Sequence, residues 1–226
     1  LHDDRPRVAA RESSVLETAA KVYIVDDDPA MRQLLSVLVK TMQLHPEAFA
    51  SANDFLEECT PSEPGCVLLD VRMPGMSGLE LLDVMRQKGI PFPVIVLSAH
   101  SDVPTAVRAM RAGAINYLEK PCREQQLWEA LQEALRCDAE NRRVLARKGT
   151  LRRRLTKLTT AERKVLDRLL QGKANKDIAA ELEVSVRTVE VRRAKIMEKM
   201  KADSLAELIR FALEASMPAG TLPSNG

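Results

Sequence analysis

A chain of 226 residues, 45% of them hydrophobic, is long for one compact domain and long enough for two with cores of their own. Its net charge of +2 hides a split: residues 21–137 carry 11 Lys+Arg against 16 Asp+Glu, and residues 150–226 carry 16 against 10. The split argues against one uniform binding surface and for two different ligands, a cation in front and a polyanion behind.

The first 20 residues hold no hydrophobic centre of a signal peptide and are expected to be disordered, and no later run reaches the roughly 18 uncharged apolar residues of a membrane span. A cytoplasmic protein with no membrane partner is the expectation. Cys59, Cys66, Cys122 and Cys137 lack the spacing of a zinc site or disulfide framework and read as reduced packing residues.

From Lys21 onward short apolar runs at 22–25, 48–50, 67–69, 94–97 and 115–118 alternate with helical patterns beginning near Pro29, Ala52, Gly78, Asp102 and Glu124. Five such units over residues 21–137 predict an α/β domain, a doubly wound five-stranded parallel sheet whose ligand site lies at the carboxyl ends of its strands. A charged helical linker is expected over 138–154. A small all-α domain follows over 155–217, with helices at 160–171, 175–182, 186–200 and 204–216, and then a disordered tail at 218–226.

Acidic residues gather at the strand ends of the first domain: Asp26, Asp27 and Asp28 follow the first run, and Asp70 follows the third. Converging carboxylates repel unless a hard cation joins them, and Mg²⁺ suits oxygen ligands while leaving room for water and a phosphate. Such a site accepts a phosphoryl group when one carboxylate is the nucleophile and the metal and a lysine neutralise the transferred charge. Lys120, directly after the fifth run, supplies that lysine, and Ser98, ending the fourth, supplies a hydroxyl at the same rim.

In the second domain Thr159 and Glu162 form a capping-box pattern and Gly172 ends the helix they open. Asn175 opens a short helix, a turn runs through Glu183 to Ser185, and Ser185 caps a longer helix, which together read as a helix-turn-helix. Val189, Ile196 and Met200 fall on its inward face, leaving Arg187, Thr188, Glu190, Val191 and Lys195 outward. Val191 suits a thymine methyl, Glu190 a cytosine amine, Arg192 and Lys195 phosphate or guanine, and Asn175 with Lys176 a phosphate.

The segments DDD, LLDVRMPGMSG, LSAH and YLEKP, in this order, resemble the flavodoxin-like receiver domain of bacterial two-component response regulators over about 21–137. The stretch from Leu158 to Met200 is similar to the LuxR-type output domain of the NarL/FixJ group, over about 155–216. The resemblance implies that Asp70 takes a phosphoryl group from a sensor histidine kinase. It implies that Asp26, Asp27, Asp70 and the main-chain carbonyl of Arg72 hold Mg²⁺, and that Lys120 contacts the phosphoryl oxygens. Ser98 and Tyr117 match the switch pair of the family, and Arg72 and His100 stand where phosphate lifetime is tuned. Asp28 lies outside the acidic pair.

The segment from His100 to Pro104 resembles the HGDVP loop of FixJ-type regulators, with Ser101 in place of glycine, and Arg192 stands where histidine is common. In this family the helix near Asp102 and the strand-like run 115–118 form a face used for homodimerisation on phosphorylation. The expected function is a phosphorylation-activated transcription regulator that binds double-stranded promoter DNA and works with RNA polymerase. Two other readings are an aspartate-nucleophile phosphohydrolase, from the Asp26-x-Asp28 spacing, and a DNA-binding protein whose receiver is only a dimerisation scaffold.

Overall fold

The computed structural model describes residues 20–99 and 102–216, so the segments 1–19 and 217–226 and the loop residues His100 and Ser101 lie outside the described residues. The chain divides into two compact units after Asn141.

In the first unit, five strands alternate with helices: β1 (Lys21–Val25), α1 (Pro29–Thr41), β2 (His45–Phe49), α2 (Ala52–Glu58), β3 (Gly65–Asp70), α3 (Gly78–Lys88), β4 (Val94–Ser98), α4 (Val103–Ala112) and β5 (Asn116–Glu119). All pair in parallel in the order β2-β1-β3-β4-β5, the doubly wound arrangement. Both faces are covered, so the central strands read as unbroken apolar runs rather than alternating ones. Tyr23, Val25, Val67, Leu69, Val94 and Val96 pack on one side with Phe49, Phe55, Leu81 and Met85. Val22, Ile24, Cys66, Leu68, Ile95 and Leu97 pack on the other with Leu35, Val39, Leu127 and Leu131.

β2 begins at His45, three residues before the apolar run that signals it. It is an edge strand, and an edge tolerates exposed His45, half-buried Glu47 and a proline at position 46, none of which a central strand would admit. Ala20, within the first 20 residues, is buried in the second core.

Helix α5 (Glu124–Thr156) covers the whole of the segment read as a linker. Its side chains are not free of the two units. Asp138, buried, accepts the Gly65 N–H at 3.0 Å at the start of β3, within the first unit. Leu151 and Leu155 belong to the core of the second.

That second unit continues with α6 (Thr160–Leu170), α7 (Asn175–Glu181), α8 (Val186–Met200) and α9 (Leu205–Ser216). Thr159 and Glu162 close the capping box, and Ser185 caps α8 by accepting the Thr188 N–H. Val189, Ile196 and Met200 are fully buried against Val165, Leu169, Ile178, Leu208 and Phe211.

Candidate phosphoacceptor site and nucleic-acid interface

The register of the sheet builds the acidic site. Val25 lies beside Leu69, so one step further Asp26 stands next to Asp70, about 4.8 Å away across the strands. Asp70 lies beside Leu97, and Ser98 beside Glu119, so Ser98 and Lys120 follow along the same rim. The Lys120 ammonium donates to Asp26 Oδ2 at 2.5 Å and also to Asp70 Oδ1, bridging the two carboxylates. The second Asp70 oxygen accepts the Arg72 N–H at 2.7 Å.

Asp26, Asp70 and Ser98 are buried, whereas Asp27 is exposed. Burial pushes the Asp70 carboxyl above its ordinary pKa, and Lys120 pulls against that rise without cancelling it. Burial lowers the Lys120 pKa, but bonding to Asp26 and Asp70 outweighs this and the net shift is upward. The ammonium is therefore held charged between them.

One ammonium for two buried carboxylates, with Asp27 beside them in sequence, leaves the site net negative. Among the described residues no group of three or more His, Cys, Asp or Glu side chains is placed to hold a metal ion by itself. Mg²⁺ does not require one, since it retains several waters and takes one or two carboxylates. Asp27 and Arg72 both line an open groove at this rim, with Ser77, Thr105 and Arg108. The oxygen-only donor set and the surplus negative charge fit Mg²⁺.

Two supporting residues escape sequence reading. Arg32, one turn into α1, donates from one guanidinium nitrogen to the carbonyl oxygens of Asp26 at 2.7 Å and Asp27 at 2.9 Å, fixing the backbone of the acidic pair. Gly78 opens α3 directly against Asp70: a Cβ there would lie 2.0 Å from the Asp70 carbonyl oxygen. An arginine six residues beyond the first acid and the glycine of MSG are the only signals, and neither is interpretable without the fold.

Asp28 turns away to cap α1, accepting the Ala30 N–H at 2.9 Å. The Asp26-x-Asp28 spacing therefore builds no joint catalytic pair, which removes the geometric basis of the phosphohydrolase reading. Tyr117 is half-buried at the edge of the first core.

On α8, Arg187, Glu190, Val191 and Lys195 are exposed, and Thr188 and Arg192 are partly so. Thr188 and Ser185 share a hydroxyl hydrogen bond of 2.8 Å, so the first turn is held rigid. Lys176 is exposed and Asn175 half-buried in the first turn of α7.

Much of the basic excess faces protein rather than ligand. Arg152 donates to the Ala215 carbonyl, Arg154 to that of Met200 and Arg163 to that of Leu155, each at 2.9 Å. Arg168 and Lys173 pair with Glu181. A charge count alone thus overstates the polyanion-binding surface. Among the described residues no helix is long and apolar enough to cross a membrane.

Residues 22–132 match the response regulator receiver domain family, and residues 156–212 match the bacterial regulatory proteins of the luxR family. The chain is 40% identical over 202 residues to the transcriptional regulatory protein FixJ of Bradyrhizobium diazoefficiens, covering 89% of this chain and 98% of that one. To FixJ of Azorhizobium caulinodans it is 44% identical over 196 residues, covering 87% and 93%. Among solved structures, the response regulator StyR aligns with a TM-score of 0.74 at 39% identity, covering 87% of this chain and 99% of that one. Full-length FixJ from B. japonicum aligns with a TM-score of 0.53 at 39% identity, covering 88% and 98%. A sheet with this acidic rim, followed by a helix-turn-helix and matched nearly end to end by such relatives, is a phosphorylation-activated transcription regulator, and the chain belongs to the NarL/FixJ family of response regulators.

Proposed function

We propose that Asp70 is the phosphoacceptor and that its modification governs promoter binding through α8. The observation that carries this reading is the Lys120 ammonium bonded to both Asp26 and Asp70 at the carboxyl end of the sheet. An Asp70 oxygen attacks the phosphorus of a phosphohistidine on a sensor histidine kinase; the new P–O bond forms as the P–N bond breaks, and the imidazole leaves with the bonding pair. Lys120, released from its bridging role, pairs with the phosphoryl oxygens. Asp26, Asp27, Asp70 and the Arg72 carbonyl would hold Mg²⁺, which when bound adds positive charge beside those oxygens.

The Ser98 hydroxyl then turns toward the phosphoryl group and Tyr117 moves inward behind it. The change is read out on the exposed apolar residues of α4, where Val103 is 75% exposed and Val107 and Met110 are also open, as homodimerisation. Paired output domains engage two half-sites, with Arg187, Thr188, Glu190 and Val191 reading bases and Asn175, Lys176, Arg192 and Lys195 contacting phosphate or guanine. The bound dimer acts on RNA polymerase in the cytoplasm.

The test is intact-protein mass after incubation with a small phosphodonor and Mg²⁺. One phosphoryl group added to the wild type and none to Asp70→Asn is the expected result. Continuous release of phosphate from unrelated organic esters, with no stable adduct, would overturn it.

A further inference from the structure

The C-terminal end of α8 is held from two sides. Its Met200 side chain is fully buried, and its Met200 carbonyl oxygen accepts from Arg154, in the last turn of α5, at 2.9 Å. Lys199 of α8 donates to both carboxylate oxygens of Glu162 of α6, at 2.9 and 2.6 Å. Glu162 is itself buried and also accepts the Thr159 N–H at 2.8 Å, so the same carboxylate closes the capping box of α6 and braces α8.

The last carbonyls of a helix have no partner within it, and a cation placed there satisfies both the hydrogen bond and the dipole. Backbone turns satisfy others at this end, Lys201 N–H to Glu198 and Ala202 N–H to Met197. The Met200 carbonyl depends on Arg154. Arg154 in turn sits between Leu151 and Leu155, both built into the core of this unit, so its backbone is a fixed anchor.

We propose that Arg154 is a positioning residue for DNA recognition, setting the tilt of α8 from the helix that leads out of the receiver. The inference rests on α8 being the helix that reads DNA. Leverage makes the contact matter: a helix of 15 residues is about 22 Å long, so a tilt of about 10° at its clamped end moves the first turn by roughly 4 Å. That exceeds the tolerance of a hydrogen bond to a base edge. Arg154 acts through the Met200 carbonyl rather than on a base.

The experiment measures binding of the full chain, phosphorylated with a small donor and Mg²⁺, to a duplex selected by the wild type from a random pool and to a scrambled duplex, across a salt series. Arg154→Ala is expected to weaken the selected duplex about tenfold while leaving the scrambled duplex and the salt slope unchanged. Arg154→Gln, which keeps an N–H donor for the carbonyl without the charge, is expected to retain part of the preference, and it reports if the alanine variant fails to fold. Equal loss on both duplexes with a salt slope reduced by about one would make Arg154 a phosphate contact and overturn the proposal, as would unchanged binding in both variants. Failure of the wild type to select any duplex would instead refute α8 as the reading helix.

Discussion

The backbone N–H of Lys120 donates to the Ser98 carbonyl oxygen at 2.8 Å, so the residues that carry the cation and the hydroxyl of this rim are joined through the backbone of β4. Removing the Ser98 hydroxyl leaves that backbone bond in place. Ser98→Ala is expected to incorporate phosphate as the wild type does, but to lose most of the gain in DNA affinity that phosphorylation brings. Lys120→Met is expected to lose the same gain and also to leave Asp26 and Asp70 facing each other without their shared cation, lowering stability by about 2 kcal/mol. Intact mass, duplex binding and urea unfolding of both variants check this; a Ser98→Ala protein with a full affinity gain contradicts it.

Gly78 constrains the backbone of Asp70. A Cβ at this position lies 2.0 Å from the Asp70 carbonyl oxygen and 3.0 Å from its carbonyl carbon, and both are backbone atoms that cannot rotate away. Gly78→Ala is expected to cost about 3 kcal/mol and to slow phosphorylation sharply, because β3 must shift Asp70, the proposed nucleophile, to make room. Gly89→Ala, where the open surface has space but φ is +67°, serves as a comparison that strains a loop without touching Asp70. Wild-type phosphorylation rates in Gly78→Ala would remove the steric argument.

Glu162 gives a pH dependence of known sign. Its bonds to Lys199, then to the Thr159 N–H, hold its folded pKa below the usual 4.5. Between that depressed value and 4.5 the unfolded chain binds more protons than the folded one, so stability rises with pH through this window. The contribution is complete above 4.5 and disappears as pH falls through the folded value. Glu162→Gln is expected to lower stability by about 1 kcal/mol near neutrality, with the difference from wild type closing in acid. A pH-independent difference in thermal melts would exclude the ionic brace.

The cysteines are separated by burial. Cys66 is fully buried in β3, and desolvation pushes its thiol far above the ordinary range. Alkylation of the native protein is expected to spare Cys66 while modifying the half-buried Cys59, Cys122 and Cys137 slowly, with all four reacting in urea. Peptide mapping decides; rapid native labelling of Cys66 would contradict its packing.

Most of the fold could be read from the chain because its signals are local. Three of the five strands, β1, β3 and β4, announce themselves as apolar runs, and Ser77, Asp102, Thr159 and Ser185 stand as helix caps next to their helices. β2 is blurred because an edge strand needs no apolar face on its outer residues. The acid rim was legible because each member ends or directly follows its own strand, and parallel register carries Asp26, Asp70, Ser98 and Lys120 to one end. Arg32, Gly78, Arg154 and Asp138 were not, because each acts on a backbone atom distant in sequence or buried in a neighbouring element. Such contacts leave no periodicity and no motif.

Control of α8 by Asp70 is tested by the affinity of the full chain for a selected duplex, measured with and without a small phosphodonor and Mg²⁺, in the wild type and in Asp70→Asn. A rise of about tenfold or more is expected on treating the wild type, and no change in Asp70→Asn. An equal rise in both proteins, or none in a wild type shown by mass to be phosphorylated, would contradict control of α8 by Asp70.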